Sequence, residues 1–159
     1  VLGLAYINDG RYLQAEEQLQ RALSLRQQAM LSQSNELVAS SYNDLGLVYN
    51  FLADYEKALL YYNKALAIYK NIHGLAHPKI AIANTNIGAV HSNMQMYTDA
   101  IAEFESALRT WEQYYPQPHP LKAFVTVNLG QAYLKIGERE SILRKCTSHL
   151  SGYLWAEAS

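Results

Sequence analysis

Residues 45–65 read LGLVYNFLADYEKALLYYNKA, and the spacing of their glycine, alanine and aromatic positions decides the fold. Tyr49 follows Gly46 by three residues and Ala58 follows it by twelve. Small residues at helical spacing let two helices lie close together, and aromatic rings fill the adjacent gaps. A turn former, Asp54, separates the two halves of the stretch. The stretch therefore predicts a helix, a short break and a second, antiparallel helix.

The same frame occurs four times in the 159 residues. The repeated glycines are Gly3, Gly46, Gly88 and Gly130, at steps of 43, 42 and 42 residues. One helix pair cannot bury its own apolar face, whereas stacked pairs share a continuous core. The sequence therefore predicts an all-α fold, an α-solenoid of about four antiparallel helix pairs.

We expect a single solenoid domain over residues 1–159. Its units are repeat 1 (1–33, truncated at its start), repeat 2 (34–76), repeat 3 (77–118) and repeat 4 (119–159). The prolines of His77-Pro78 and His119-Pro120 suit the first turn of a helix, so each dipeptide is expected to open a repeat. Repeat 4 has Arg139 where the other units have tyrosine, and an atypical closing helix is expected over residues 138–156.

Composition excludes several classes of protein. Half of the residues are apolar, 17% are charged and the net charge is −1, which argues against disorder and against binding to nucleic acid or an anionic membrane. No stretch approaches the roughly 20 apolar residues that span a bilayer. The lone Cys146 cannot form an internal disulfide, which fits a reducing compartment and favours the cytoplasm. Because the chain starts without Met inside a repeat signature, we expect it to be part of a longer protein.

The pattern L-G-x-x-Y, followed by A-x-x-x-aromatic and a further alanine, resembles the signature of the tetratricopeptide repeat (TPR) family. Residues 74–81, GLAHPKIA, are similar to the inter-repeat segment of kinesin light chain TPRs, and many bacterial TPR proteins look alike there. The resemblance implies a TPR superhelix that binds a peptide or helix of another protein and catalyses no reaction.

The resemblance also implies that the first helix of each repeat lines a concave groove. The helix positions expected to face it are mostly polar and uncharged: Asn43, Leu47, Asn50, Thr85, Asn86, Ala89, Ser92, Asn93, Val127, Asn128, Gln131 and Lys135. Amide side chains carry donors and acceptors that can hydrogen-bond the backbone of an extended peptide. The alternative is a hydrated surface that binds nothing.

Some TPR domains hold the terminal carboxylates of chaperones with Lys, Asn and Arg on these helices. The matching places here are Asn43, Leu47, Asn86, Phe124 and Asn128, which include no cation. No carboxylate clamp is therefore expected.

Other functional readings have weaker support in the sequence. His73 and His77 have helical spacing, but Gly74 and Pro78 prevent one helix from carrying both, so neither a metal nor another cofactor is predicted. Cys146 falls in the bulky slot of its repeat and is expected to be buried and inert. The main alternative to groove binding is a structural segment that self-associates into a homodimer through its solenoid ends.

Overall fold

The computed structural model describes residues 2–28 and 34–137, and every regular element in those ranges is an α-helix. The helices are α1 (Leu2–Asn8), α2 (Tyr12–Gln28), α3 (Ser34–Phe51), α4 (Tyr55–His73), α5 (Pro78–Asn93), α6 (Tyr97–Tyr114) and α7 (Pro120–Ile136). They fall into two compact units, Val1–Gly74 with α1–α4 and Leu75–Ser159 with α5–α7. The predicted closing helix over 138–156, including Cys146, lies outside the described residues.

The helices end where the sequence places turn formers. Gly10 and Gly137 have φ values of 71° and 81°, in the left-handed region that glycine adopts without strain. The carboxylate of Asp54 caps α4 by accepting from the backbone N–H of Lys57 at 3.2 Å. Gly74 caps the other end of that helix, and its N–H donates to the carbonyl of Lys70 at 3.0 Å. The predicted breaks between helices are confirmed.

The repeated glycines allow the close helix contacts that the frame requires. A Cβ atom added to Gly46 would lie 2.7 Å from a ring carbon of Tyr62, and one added to Gly88 would lie 2.7 Å from a ring carbon of Phe104. Each ring stands sixteen residues after its glycine. Antiparallel helix pairs with glycine at the contact are therefore confirmed in both units.

Each unit buries its own core. In the first unit, α1 packs on α2, α2 on α3 and α3 on α4, and the most deeply buried side chains include Ala15, Leu45, Val48, Ala58, Tyr62 and Ala65. In the second unit α6 packs against both α5 and α7, with Ala81, Ala100, Phe104, Ala107, Leu108, Trp111, Val125, Leu129, Ala132 and Tyr133 in the core. No helix in the described ranges is long and apolar enough to cross a membrane.

Candidate functional site

The helices α5 and α7 begin in the same way, which gives their side chains a common register. His77 and His119 cap them with ring Nδ1 atoms that accept from backbone N–H groups two residues on, at 3.3 and 3.2 Å. A proline occupies the first turn in both helices. Asn86 and Asn128 each stand nine residues after the capping histidine, so they occupy equivalent positions on the two helices.

Two further contacts hold α7 against its neighbour α6. The ammonium group of the buried Lys122 donates to the carbonyl oxygens of Tyr115 at 2.8 Å and Pro116 at 3.4 Å. A cation near the C-terminus of α6 also interacts favourably with the helix dipole. Farther along α7, the hydroxyl of Tyr133 donates to a carboxylate oxygen of Glu105 at 2.8 Å. The start and the far end of α7 are therefore both fixed to α6.

A cavity of about 320 Å³ opens in the second unit and is lined by all three of its helices. Its lining includes six residues that the sequence predicted for the groove: Ala89, Ser92, Asn93, Asn128, Gln131 and Lys135. The other lining residues are Tyr97, Phe104, Phe124 and Ala132. The lining thus combines polar uncharged side chains with apolar ones. Lys135 is the single charged side chain among these ten residues. We call this space the amide cavity.

A second cavity of about 100 Å³ in the same unit contains Thr85 and Asn86 from the predicted set. Its remaining lining is Ile82, Trp111, Leu121, Phe124 and Val125. We call it the tryptophan cavity. Phe124 is 58% exposed and lines both cavities, so the two spaces share one wall.

Thr85 is more buried than a groove residue was expected to be. Only 6% of it is exposed, and its hydroxyl donates to the carbonyl of Ala81 at 2.7 Å. A threonine bonded to the carbonyl four residues back satisfies its own hydroxyl within the helix. Val127, by contrast, is 53% exposed and lines neither of the two cavities.

The remaining predicted residues, Asn43, Leu47 and Asn50, lie on α3 in the first unit and are half-buried. The side chain of Asn43 is hydrogen-bonded to the neighbouring carboxylate of Asp44. Burial raises the pKa of Asp44, and the hydrogen bond from Asn43 and the charge of Arg26 offset only part of that rise. Asn43 thus helps to solvate a half-buried carboxylate.

Sequence reasoning left the apolar and aromatic lining residues out of the site, among them Phe124 and Trp111. Phe124 was noted only for lacking a charge, yet Phe124, Asn128, Gln131 and Lys135 form one stripe at helical spacing that the sequence already contained. Trp111 belongs to a helix that the sequence assigned to packing. Its place in a cavity wall depends on residues of α5 and α7.

The histidines have structural roles in the described residues. His73 lies 3.1 Å from a carboxylate oxygen of Glu36 and stacks on Tyr69, whereas His77 is a helix cap. His91 takes the tyrosine slot of its repeat and is half-buried. Within residues 2–28 and 34–137, no three metal-binding side chains come together.

Antiparallel helix pairs repeated in one frame, with amide and apolar side chains on the first helices, define an all-α helix-pair repeat protein. The sequence profile of the tetratricopeptide repeat family matches residues 1–71 and 79–144. The chain belongs to the tetratricopeptide repeat family. A comparison with curated protein sequences finds no match.

Solved structures show the same fold at low sequence identity. The crystal structure of BtubC (BKLC) from P. vanneervenii superposes with a TM-score of 0.81 at 22% identity, covering 94% of this chain and 61% of that one. A Podosopora anserina putative kinesin light chain with nearly identical TPR-like repeats gives 0.78 at 17% identity, covering 92% and 71%. The crystal structure of MamA gives 0.68 at 18% identity, covering 99% and 78%. The chain thus spans about three fifths of the length of BtubC, and these likenesses establish its fold.

Proposed function

We propose that this chain is a non-catalytic binding module whose second unit holds an extended, largely uncharged segment of a partner protein between α5 and α7. The observation that carries the proposal is the amide cavity, which combines amide groups from both helices with an apolar wall at Phe124. TPR folds generally serve as interaction modules, which supports a partner that is a protein.

The chemistry of the lining indicates how such a segment is held. An extended peptide presents one N–H and one C=O group per residue, and an asparagine or glutamine side chain can pair with both. Asn128 and Gln131 are one helical turn apart on α7, and Asn93 faces the same cavity from α5. Phe124 supplies apolar area for a side chain of the partner. Since Lys135 is the only charge among the described lining residues, the occupant needs no cluster of charges.

The proposal is tested by selecting peptides from a displayed library of random twelve-residue sequences on the immobilised full chain. Asn93→Ala combined with Asn128→Ala removes one amide of the amide cavity from each helix, while Asn63→Ala with Asn71→Ala removes two exposed asparagines of α4 as a matched control. Selected peptides should bind wild type and the control alike and bind the groove variant roughly 5- to 150-fold more weakly.

Equal binding of the peptides to all three folded proteins would contradict the proposal, as would a library that yields no peptide. Light scattering over a concentration series is measured in parallel. A chain that dimerises and yields no peptide would favour the self-associating segment instead.

A further inference from the structure

The two cavities of the second unit follow one another along the space between α5 and α7. The tryptophan cavity is lined by residues between 82 and 86 and between 121 and 125, near the start of both helices. The amide cavity is lined by later residues of the same two helices. Because α5 and α7 are both antiparallel to α6, they run in the same direction. Phe124 lines both cavities, so the two spaces form one channel that follows the helix axes.

The surface that the tryptophan cavity presents to a ligand is apolar. Ile82 and Leu121 are each 40% exposed and Phe124 is 58% exposed, and these side chains come from both helices. Trp111, which is 2% exposed, adds little accessible surface. Apolar surface in contact with water is stabilised when another apolar group covers it. The wall therefore favours an apolar side chain as its occupant.

The two polar residues of this wall do not change that preference. The hydroxyl of Thr85 donates to the carbonyl of Ala81 within its own helix. Asn86 is half-buried and stands two residues before the repeated glycine, as Asn128 does in the amide cavity. An amide in this position can bond the backbone of a segment at either cavity. The two cavities thus offer a similar contact to the backbone and different surroundings to the side chains.

The distance between the cavities sets the spacing of the side chains that fill them. The lining residues of the two cavities are centred about seven positions apart on each helix, which is a rise of about 10 Å. A polyproline II helix brings every third side chain to the same side, about 9 Å farther along. In a β-strand, side chains on one side are about 7 or 14 Å apart. The polyproline II spacing therefore fits the channel best.

We propose that the partner segment lies along this channel as a polyproline II helix. It places an apolar side chain in the tryptophan cavity and the side chain three residues away in the amide cavity, and its backbone passes over Phe124. A polyproline II helix has no internal hydrogen bonds, so its backbone groups are available to Asn86 and Asn128. This inference rests on the proposed function, because it gives the conformation of the segment that the groove holds.

The test uses the displayed library of random twelve-residue peptides, selected on the immobilised full chain. Leu121→Asn and Ile82→Asn each put an amide into the apolar wall, one from each helix. Leu134→Asn is the matched control, because Leu134 is a 55% exposed leucine of α7 that lines neither cavity. Selected peptides should bind the control like wild type and bind both wall variants roughly three- to tenfold more weakly. Thermal melts check that each variant is folded.

An alanine scan of the selected peptides measures the spacing. On wild type, the two most sensitive peptide positions should be three residues apart, and one of them should be apolar. That apolar position should lose its sensitivity in Leu121→Asn, because the contact is already gone, and should keep it in Leu134→Asn.

Sensitive positions two or four residues apart would indicate a β-strand and would overturn the proposal. A polar residue at the position coupled to Leu121 would also overturn it. The groove is judged separately by Asn93→Ala with Asn128→Ala. Peptides that this pair weakens, but that bind both wall variants like wild type, would rule out the apolar subsite and leave the groove intact. Peptides that neither set of substitutions weakens would rule out both.

Discussion

The two units share one repeat frame but treat their buried polar groups differently. In the first unit, the hydroxyl of Tyr49 donates to a carboxylate oxygen of Glu16 at 2.6 Å, and Arg26 is bonded to Ser41. In the second unit, three buried atoms lack a hydrogen-bond partner among the described residues: Asn84 Oδ1, His91 Nδ1 and Trp111 Nε1. The second unit also contains both the amide cavity and the tryptophan cavity.

This difference separates stability from function. Where packing alone is required, buried polar groups are paired, because an orphaned group costs free energy. Positions that break this rule are more often functional than accidental. Of the three residues with an unpaired buried atom, only Trp111 lines a cavity; Asn84 and His91 line neither of the two.

The largest expected effect is a loss of stability on substitution of the repeated glycines, which both units have at their helix contacts. Gly46→Ala and Gly88→Ala each place a methyl group 2.7 Å from an aromatic ring, so each should lower the free energy of unfolding by about 1–3 kcal/mol. Urea denaturation followed by circular dichroism measures the loss. Phe104→Leu should restore part of it in Gly88→Ala and none of it in Gly46→Ala. If the two glycine variants were as stable as wild type, the repeat frame that the two units share would be wrong.

A smaller effect is expected from the tyrosines of the first unit at alkaline pH. Burial raises the pKa of Tyr69 to about 12, and it also raises the pKa values of Tyr49 and Tyr62. An unfolded tyrosine ionises near pH 10, so the stability that Tyr69 contributes is complete below about pH 10 and is lost as pH rises through its folded pKa of about 12.

Tyr69→Phe isolates one of these groups. The variant should be less stable than wild type at pH 8, because the bond to Ser40 is gone, and should lose less stability between pH 10 and 12. Urea unfolding at pH 8 and pH 11 measures both differences. If wild type and Tyr69→Phe lost the same stability at alkaline pH, ionisation of Tyr69 would not be the cause of that loss.

The smallest effect concerns the carboxylate beside the predicted groove position Asn43. Because burial raises the pKa of Asp44, its folded state favours the protonated form, and the ionised form opposes folding at neutral pH. Asp44→Asn should therefore raise stability at pH 7 by about 0.5 kcal/mol, a usual size for a partly exposed position. The gain should disappear below the unfolded pKa near 3.9. Melting curves of the variant and of wild type at pH 7 and pH 3 measure the difference in stability. An equal gain in stability at both pH values would contradict this prediction.

Much of this architecture could be predicted because it depends on local spacing. The repeated glycines, the break at Asp54 and the helix starts at His77-Pro78 and His119-Pro120 follow from spacing and residue type in the sequence. The six residues of the amide cavity were expected from the resemblance to the TPR family. The burial of Thr85 could not be predicted in the same way, since it depends on how closely α5 packs into its unit. The partnerless state of Trp111 likewise depends on the side chain that α5 places opposite it.

The central claim is that amides of α5 and α7 hold the backbone of a bound segment. Titration calorimetry of a selected peptide tests it most directly, on wild type, the Asn93→Ala/Asn128→Ala variant and the Asn63→Ala/Asn71→Ala control, at low and high salt and with thermal melts alongside. Two hydrogen bonds of about 0.5–1.5 kcal/mol each predict a roughly 5- to 150-fold loss of affinity in the groove variant. Because Lys135 is the only charge among the described residues that line the amide cavity, the affinity should change little with salt. Unchanged affinity in a variant that melts like wild type would contradict the account.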